Sequence, residues 1–342
     1  MSRYLVTGAA GFLGRHLVRI LLSEGHEVVA LVRSHDAELA RTKARLVAGD
    51  VLRPESLRGP LAGCAGVFHG AGKVSRDPAD AGAMHQLHVV GTRNVLAAAR
   101  EANVPRVVIA STSGTVGISE KAETKDEDSP RPIELVQRFP YYRSKLFAEE
   151  EALAQSGNGL EVVSVNPSLL LGPGDVNGSS TKDVWLFLDR RVPATPAGGI
   201  SYVDARDAAE GMLLAMERGR GGRRYLLTAE NCTMVEFFDR LSRVSGVAAP
   251  RLTLPRSPAV SRLVSSLFGK AIEKVGGERP VDDVTVEMSQ MFWWVSAQRA
   301  KAELGFAPRD PLDTLADTVS DLRGRPVVEA PSKKRKGLTL LG

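Results

Sequence analysis

The sequence has little cysteine and no long apolar run, and these absences narrow the classes of protein that it can encode. Its two cysteines, Cys64 and Cys232, are too few for a disulfide framework, and no C-x-x-C pair or Cys/His cluster indicates a zinc site. Every apolar run is shorter than a membrane-spanning helix. A strand-like segment begins where a secretory leader would have to lie. We therefore expect a cytoplasmic protein with no integral membrane segment.

Neither sign of charge dominates the sequence. The 342 residues include 45 Lys and Arg and 40 Asp and Glu, which are interspersed and give a formal net charge of +5. This mixture predicts no nucleic-acid partner and only a mild bias toward anionic ligands. A basic run at residues 333–336 belongs to a polar segment, residues 326–342, that we interpret as a disordered tail.

Apolar strand-like runs alternate with helical patterns over residues 1–170. This alternation predicts βαβ units and an α/β fold with a doubly wound parallel sheet. Beyond Leu171 the elements become shorter and the turns richer in Gly, Pro and Ser. Residues 171–325 are therefore predicted to form a smaller α/β substrate-binding region, some segments of which return to the first domain. The predicted strands are residues 4–7, 28–32, 46–49, 66–69, 106–111 and 162–166.

A glycine-rich loop follows the first predicted strand. Gly8, Gly11 and Gly14 form a G-x-x-G-x-x-G pattern that leads directly into a helical pattern. Glycines here let the backbone turn tightly, approach a pyrophosphate and pack the helix close to the sheet, while the helix N-terminus attracts phosphate. The spacing differs from G-x-G-x-x-G, but the strand–loop–helix context is the same. We predict a Rossmann-type domain that binds a dinucleotide through this loop, including Phe12 and Leu13.

A tyrosine and a lysine have the spacing of an acid–base pair. Tyr141 and Lys145 are four residues apart and so lie on one face of a predicted helix. A tyrosine can exchange a proton with a carbonyl or alcohol oxygen when its pKa falls from about 10 toward neutrality. An ammonium group about 4 Å away supplies the roughly 4 kcal/mol that such a fall requires. The pair therefore predicts catalysis by Tyr141, with Lys145 lowering its pKa.

In the order of its motifs the chain resembles an extended short-chain dehydrogenase/reductase, within the superfamily of NAD-dependent epimerases and dehydratases. It is most similar to the branch of dihydroflavonol reductases and 3β-hydroxysteroid dehydrogenases. The resemblance covers nearly all of residues 3–320. Besides the glycine loop and the Tyr141/Lys145 pair, it rests on Asp50-Val51, FHGAG at residues 68–72, Ser111-Thr112-Ser113, Asn166-Pro167-Ser168 and YVDARD at residues 202–207.

The resemblance implies roles for individual residues. Thr112, at the end of the fifth strand, would orient the substrate oxygen beside Tyr141, and its neighbour Ser113 is a candidate substrate contact. Lys145 would also hold the nicotinamide ribose. The implied dinucleotide contacts are Asp50 with Val51 at the adenine, Ala71 and Gly72 near the ribose and phosphate, and Pro167 and Ser168 at the nicotinamide.

The end of the second strand indicates which dinucleotide is preferred. NAD enzymes of this fold carry a carboxylate about 20 residues after the loop, where it binds the ribose 2′-OH. Here Val32 is followed by Arg33 and Ser34, a guanidinium and a hydroxyl that suit a 2′-phosphate. We therefore favour NADP(H). NAD(H) is the alternative if Arg33 merely stacks on the adenine.

Several positions depart from the family pattern or carry separate hypotheses. His88 stands where the family often has asparagine; it either replaces a proton-relay or backbone-bridging group or packs within its helix. Lys73 would meet an anionic substrate group or face solvent, and Tyr202 is a further candidate substrate contact. Residues 115–117 read TVG, not the VYG usual in sugar-nucleotide epimerases. Residues 259–275 carry an apolar stripe typical of a core helix, a lid or a membrane-contacting surface.

Together these residues predict an NADP-dependent oxidoreductase that interconverts a ketone and a secondary alcohol on a medium-sized, partly apolar small molecule. One alternative is a sugar epimerase or dehydratase that keeps its dinucleotide bound. Another is a dinucleotide sensor without enzymatic activity, against which the intact Tyr141/Lys145 pair argues. A homodimer is expected only from the family, and no metal is expected.

Overall fold

A seven-stranded parallel sheet is the main element of residues 1–255 and 283–325, the part of the chain that the computed structural model describes. In spatial order its strands are β3 (Arg45–Ala48), β2 (Glu27–Val32), β1 (Arg3–Thr7), β4 (Gly66–His69), β5 (Arg106–Ala110), β6 (Glu161–Pro167) and β9 (Arg224–Leu227). The central strand β1 pairs with both β2 and β4, so the strand order reverses there. Such a reversal opens a crevice at the carboxyl ends of the strands, where ligands of doubly wound folds bind.

Helices cover both faces of this sheet. In the described residues they are α1 (Phe12–Ser23), α2 (Glu55–Leu61), α3 (Ala81–His85), α4 (Gly91–Glu101), α5 (Ile133–Val136), α6 (Pro140–Ala154), α7 (Lys182–Leu188), α8 (Ala205–Arg218), α9 (Met234–Ser245), α10 (Asp283–Met288) and α11 (Pro311–Gly324). Leu5 packs with α2 and α4, whereas its neighbour Val6 packs with α1 and α8. Successive residues of a strand point to opposite faces, so a sheet covered on both sides needs apolar residues at every position.

Short helical segments of other types complete the described secondary structure. A π-helical segment, Gln86–Val90, joins α3 to α4, and a second one is Ala300–Leu304. The 3₁₀ segments are Leu39–Arg41, Pro78–Asp80 and Ser113–Thr115.

A second, three-stranded sheet lies beyond β6. Its strands are β7 (Leu169–Leu171), β8 (Gly199–Asp204) and β10 (Glu230–Thr233), with β8 in the middle. It has its own apolar core, to which α7, α9 and α11 contribute. The chain therefore leaves the main sheet after β6 and returns to it with β9. The α/β fold with a doubly wound sheet is confirmed, whereas a domain boundary at residue 170 stays a prediction.

Two of the predicted segments cannot be compared with the structure. The apolar stripe at residues 259–275 and the basic tail at residues 326–342 both lie outside the described residues. Over the residues that are described, no helix is long and apolar enough to cross a membrane.

Asp204 joins the second sheet to α8, because it is the last residue of β8 and the N-cap of the helix. Its buried carboxylate accepts hydrogen bonds from the Arg206 backbone N–H at 2.8 Å and from Nη2 of the same residue at 2.7 Å. Burial alone would raise the pKa of this carboxyl, but the hydrogen bonds from Arg206 outweigh burial and hold the pKa below its usual value.

Replacing the carboxylate should destabilise this junction. We expect Asp204→Asn to lower the free energy of unfolding at pH 7 by about 3 kcal/mol, because it breaks a largely buried ion pair. The native pKa is depressed, so the carboxylate stabilises the fold above its unfolded pKa of about 3.9 and loses that effect below it. Urea denaturation at several pH values measures both the loss of unfolding free energy at pH 7 and its dependence on pH. Asp239→Asn, at an exposed aspartate of α9, is the control, and equal losses in the two variants would contradict the assignment.

Candidate active site

The glycine loop between β1 and α1 has room for backbone and for nothing larger. Gly8 has a φ of +70°, and a Cβ there would lie 2.4 Å from the carbonyl carbon of Gly70, in the loop after β4. A Cβ on Gly14 would lie 2.1 Å from the Gly8 oxygen. Gly11 is the N-cap of α1, and within the described residues no side chain caps that helix. The free N–H groups of its first turn, which begins with Phe12 and Leu13, suit a phosphate.

The far end of the same crevice has a polar atom without a partner. Ser168 follows Pro167 at the end of β6, and its buried Oγ forms no hydrogen bond in the described structure. A buried hydroxyl without a partner is costly, so it indicates a ligand at that edge. Ala71 and Gly72 lie between the two ends, directly after β4. The glycine loop at one end of the crevice, called the glycine cradle below, and the Ser168 hydroxyl at the other end together fit a nicotinamide dinucleotide.

The remaining predicted dinucleotide contacts lie just after the ends of β2 and β3. Arg33 and Ser34 directly follow β2 and are exposed. Asp50 follows β3 and is partly exposed, whereas Val51 beside it is buried. The structure therefore places all of these contacts along the carboxyl edge of the sheet.

The first turns of α6 face the end of β5. Pro140 starts the helix, a position that suits proline, so Tyr141 lies in its first turn. The side chains of Tyr141 and Thr112 are hydrogen-bonded to each other. Lys145 Nζ donates a hydrogen bond of 2.7 Å to the backbone oxygen of Ala110. The structure thus brings the three predicted catalytic residues to one place.

Burial controls the acidity of Tyr141. Removal from water raises its pKa well above the usual value of 10, and the hydrogen bond with Thr112 opposes this only in part. The phenol ring lies edge-on to the rings of His88 and Tyr142, with centroids 5.7 and 5.0 Å away. The direction is opposite to the one predicted from Lys145, because burial is the largest influence on this phenol and raises its pKa. Tyr141 is therefore a protonated phenol at neutral pH.

Burial acts on Lys145 in the corresponding direction. It lowers the pKa of the ammonium group to about 8, although the carboxylate of Glu149 favours the charged form. At pH 7 most molecules therefore carry a positive charge at this position. A Cβ on Gly72 would lie 3.6 Å from Lys145 Nζ, so the backbone after β4 passes directly beside the ammonium.

His88 joins the loop after β4 to α6. Its Nε2 accepts a hydrogen bond of 3.1 Å from the backbone N–H of Lys73, so the proton of the neutral ring is on Nδ1. That N–H donates to Ser144 Oγ at 2.8 Å, and the hydroxyl of Ser144 donates to the backbone oxygen of Tyr141, not to its phenol. Of the two sequence hypotheses, the contacts are those of a backbone-bridging group. Burial lowers the His88 pKa to about 2.

A second buried histidine, His69, supports the same loop. Its Nδ1 accepts from Thr7 Oγ1 at 2.7 Å, and Thr7 Oγ1 accepts from the backbone N–H of Ala71. On the other side Nε2 donates to Thr92 Oγ1 at 3.0 Å, because that hydroxyl itself donates to the His88 oxygen. Burial lowers the His69 pKa to about 3. Sequence reasoning gave this residue no role, since nothing in its spacing signals one.

The predicted substrate contacts are not all at the site. Tyr202 is completely buried in the core of the second sheet, where it packs on Phe237 and its hydroxyl donates to Glu230. This burial excludes the direct substrate contact suggested by the sequence. Lys73 is exposed and its ammonium binds Asp80 at 2.6 Å. Ser113 is buried and starts the 3₁₀ turn after Thr112.

Comparisons with known proteins identify the family of the chain. The NAD dependent epimerase/dehydratase family matches residues 4–227. A Synechocystis sp. protein named "Putative dihydroflavonol 4-reductase" is 36% identical over 92% of this chain and 93% of its own. The Stigmatella aurantiaca protein named "4-hydroxy-2-methyl-3-oxo-4-farnesyl-3,4-dihydroquinoline-1-oxide ketoreductase" is 30% identical over 90% and 92% of the two chains. The crystal structure of gox2253 superimposes with a TM-score of 0.81 at 32% identity, covering 94% and 98% of the two chains.

The doubly wound sheet, the glycine cradle and these likenesses define an NAD(P)-dependent oxidoreductase of the extended short-chain dehydrogenase/reductase class. The chain belongs to the NAD dependent epimerase/dehydratase family.

The neutral state of His88 has a measurable consequence. The pKa of His88 is about 2 in the folded protein and about 6.5 in the unfolded chain. Between these values the unfolded chain binds more protons, so the free energy of unfolding decreases as the pH is lowered. From pH 7 to pH 5 this residue should cost the fold about 2 kcal/mol. We expect His88→Asn to lose about that much less than the unaltered protein in urea denaturation. The exposed His85 provides the control, His85→Asn; identical slopes in both variants would contradict a buried, neutral His88.

Proposed function

We propose that the protein is an NADP-dependent reductase that interconverts a ketone and a secondary alcohol on a medium-sized, partly apolar substrate. The observation that carries this proposal is the position of the Tyr141 hydroxyl, which is hydrogen-bonded to Thr112 and lies on the same helix face as Lys145, at the edge of the sheet where the glycine loop lies. The protonated phenol can donate a proton to a carbonyl oxygen, as the reduction of a ketone requires.

Each of the three residues has a role in this proposal. A bound nicotinamide dinucleotide supplies the hydride. Tyr141 donates its hydroxyl proton to the carbonyl oxygen as negative charge develops there, and the Thr112 hydroxyl orients that oxygen. Lys145, held in place by Ala110, contributes a nearby positive charge that stabilises the phenolate left on Tyr141.

The surroundings of Tyr141 support a partly apolar substrate. Tyr142 packs on Trp293 with ring centroids 4.7 Å apart, and both belong to a cluster with Phe139. The nearest predicted anion-binding side chain, Lys73, is paired with Asp80. The names of the curated relatives, one a dihydroflavonol reductase and one a ketoreductase, support a carbonyl substrate of this general kind.

The preference for NADP rests on the loop after β2. Arg33 and Ser34 are exposed there, whereas the nearby carboxylate of Asp36 is occupied: it accepts hydrogen bonds from Arg15 and from the backbone N–H of Leu39. Glu38 is likewise paired, with Arg15 and Arg19. An available guanidinium and engaged carboxylates suit a 2′-phosphate better than a 2′-hydroxyl.

The rival functions differ in what happens to the dinucleotide. An epimerase or dehydratase keeps it bound through purification, a sensor binds it without turnover, and a reductase exchanges it at every cycle. Chromatography at 260 nm of the dinucleotide released by denaturing the purified protein, which detects both redox forms, together with NADPH oxidation on aliphatic, aryl and steroidal ketones, separates the three. A homodimer and a cytoplasmic location stay proposals from the sequence.

Removing the Tyr141 hydroxyl should abolish reduction and leave cofactor binding intact. We expect Tyr141→Phe to lower kcat by about 10²–10⁴-fold, the usual contribution of a positioned general acid, and to change NADPH affinity only a few-fold. The measurements are NADPH oxidation on the best ketone of the panel and nicotinamide fluorescence. Tyr142→Phe, the adjacent residue on the same helix, should retain most of the activity. Equal activity of the two variants would contradict the assigned role.

Removing the Arg33 guanidinium should weaken binding of one dinucleotide only. We expect Arg33→Ala to lower the affinity for NADPH by about 10–100-fold, because it removes charge-assisted hydrogen bonds to the 2′-phosphate, and to leave NADH affinity nearly unchanged. Fluorescence titrations with both dinucleotides measure the two values. Arg41→Ala, at another exposed arginine of the same connection, controls for general electrostatics. Unchanged NADPH affinity, or equal loss for both dinucleotides, would show that Arg33 does not read the phosphate.

A further inference from the structure

A buried carboxylate continues the row of functional side chains on α6. Glu149 follows Lys145 by four residues and Tyr141 by eight, so the three lie on one face of the helix. Its side chain is completely buried. The sequence spacing could have indicated it, but no role was assigned to it.

Glu149 holds the end of β5 and the turn that follows. One carboxylate oxygen, Oε2, accepts hydrogen bonds from Ser111 Oγ, from Thr115 Oγ1 at 2.9 Å and from Asn166 Nδ2 at 2.6 Å. The same amide nitrogen of Asn166 lies 3.1 Å from the backbone oxygen of Thr112 and donates to it.

Three successive residues at this strand end are therefore fixed from α6. Lys145 binds the Ala110 oxygen, Glu149 binds the Ser111 side chain, and Glu149 reaches Thr112 through Asn166. The hydrogen-bond partner of the Tyr141 hydroxyl is thus located by a carboxylate two helical turns away.

The other carboxylate oxygen is paired with cations from two further elements. Oε1 lies 2.8 Å from Arg224 Nε in β9 and 3.3 Å from Arg131 Nη2, in the loop before α5. Every polar group around Glu149 is a donor or a cation, and only an ionised carboxylate accepts from all of them. An amide in its place would point its own N–H groups at some of these donors.

We infer that Glu149 is a positioning residue of the active site, which sets Thr112 in place and provides the counter-charge for Lys145. This inference rests on the proposed function. Within the described residues, the titratable groups around Lys145 are Tyr141, His69 and His88, all neutral, and Glu149, the anion among them. Glu149 therefore sustains the positive charge that burial opposes.

The test follows the pH dependence of NADPH binding, which needs no substrate. Nicotinamide fluorescence titrations from about pH 5.5 to about pH 10 are compared for the unaltered protein, Glu149→Gln and Glu150→Gln, with Lys145→Met to identify the lysine's contribution. Glu150 is the exposed neighbour on the same helix. We expect the midpoint at which affinity declines to move to lower pH by on the order of one unit in Glu149→Gln and to stay in place in Glu150→Gln.

A double variant protects the test against a folding defect. Glu149→Gln leaves Arg131 and Arg224 without their carboxylate, so Glu149→Gln/Arg224→Gln, which removes one of these charges, is measured in parallel. On the best ketone of the panel, kcat should fall about tenfold or more in both variants with little change in KM, because Thr112 is no longer held.

The outcomes separate the two proposals. A pH profile of the Glu149 variants that coincides with that of Glu150→Gln overturns the positioning role. If the unaltered protein reduces no ketone of the panel, the proposed function fails, and the pH profile still decides whether Glu149 sustains the charge on Lys145.

Discussion

The hydrogen bond from the Lys145 ammonium to the Ala110 oxygen fixes the register of α6 against the end of β5, and the site is arranged around that contact. Tyr141 lies one turn before Lys145 and meets Thr112, two residues beyond Ala110. Glu149 lies one turn after Lys145 and binds Ser111. A shift of the helix by one residue would separate all three contacts at once, because a helix face repeats only every three to four residues.

Burial gives these contacts their chemical effect. The carboxyl ends of β1, β4, β5 and β6 meet at one edge of the sheet, and the histidines beneath that edge are neutral because they are buried. Their ring nitrogens are fully used in hydrogen bonds to hydroxyl and backbone groups, so His69 and His88 support the loop without adding charge. The positive charge near the phenol therefore belongs to Lys145, and partial burial raises the pKa of Tyr141, which stays protonated at neutral pH.

Local patterns were sufficient to predict the α/β fold and to select candidate site residues that the structure brings together, because strand–helix alternation, the glycine loop and the Tyr141–Lys145 spacing are all local. What could not be predicted depends on tertiary context. Some segment beyond residue 171 was expected to return to the first domain, but no local pattern marks β9 as the strand that joins the main sheet. Tyr202 belongs to a motif of the family yet packs in a core. The pKa of Tyr141 was predicted from its charged neighbour, whereas desolvation, which depends on tertiary packing, is the largest influence and raises this pKa.

The most direct test of the central claim follows the hydride itself. NADPH carrying deuterium at the transferable C4 position is incubated with the protein and the best ketone of the panel, and the product is analysed by mass spectrometry. If Tyr141 and Lys145 serve a reductase, the secondary alcohol gains one deuterium on its carbinol carbon and free NADP⁺ accumulates in equal amount. Deuterium that stays on a protein-bound dinucleotide, with no labelled alcohol, would contradict the account and indicate an epimerase-type cycle.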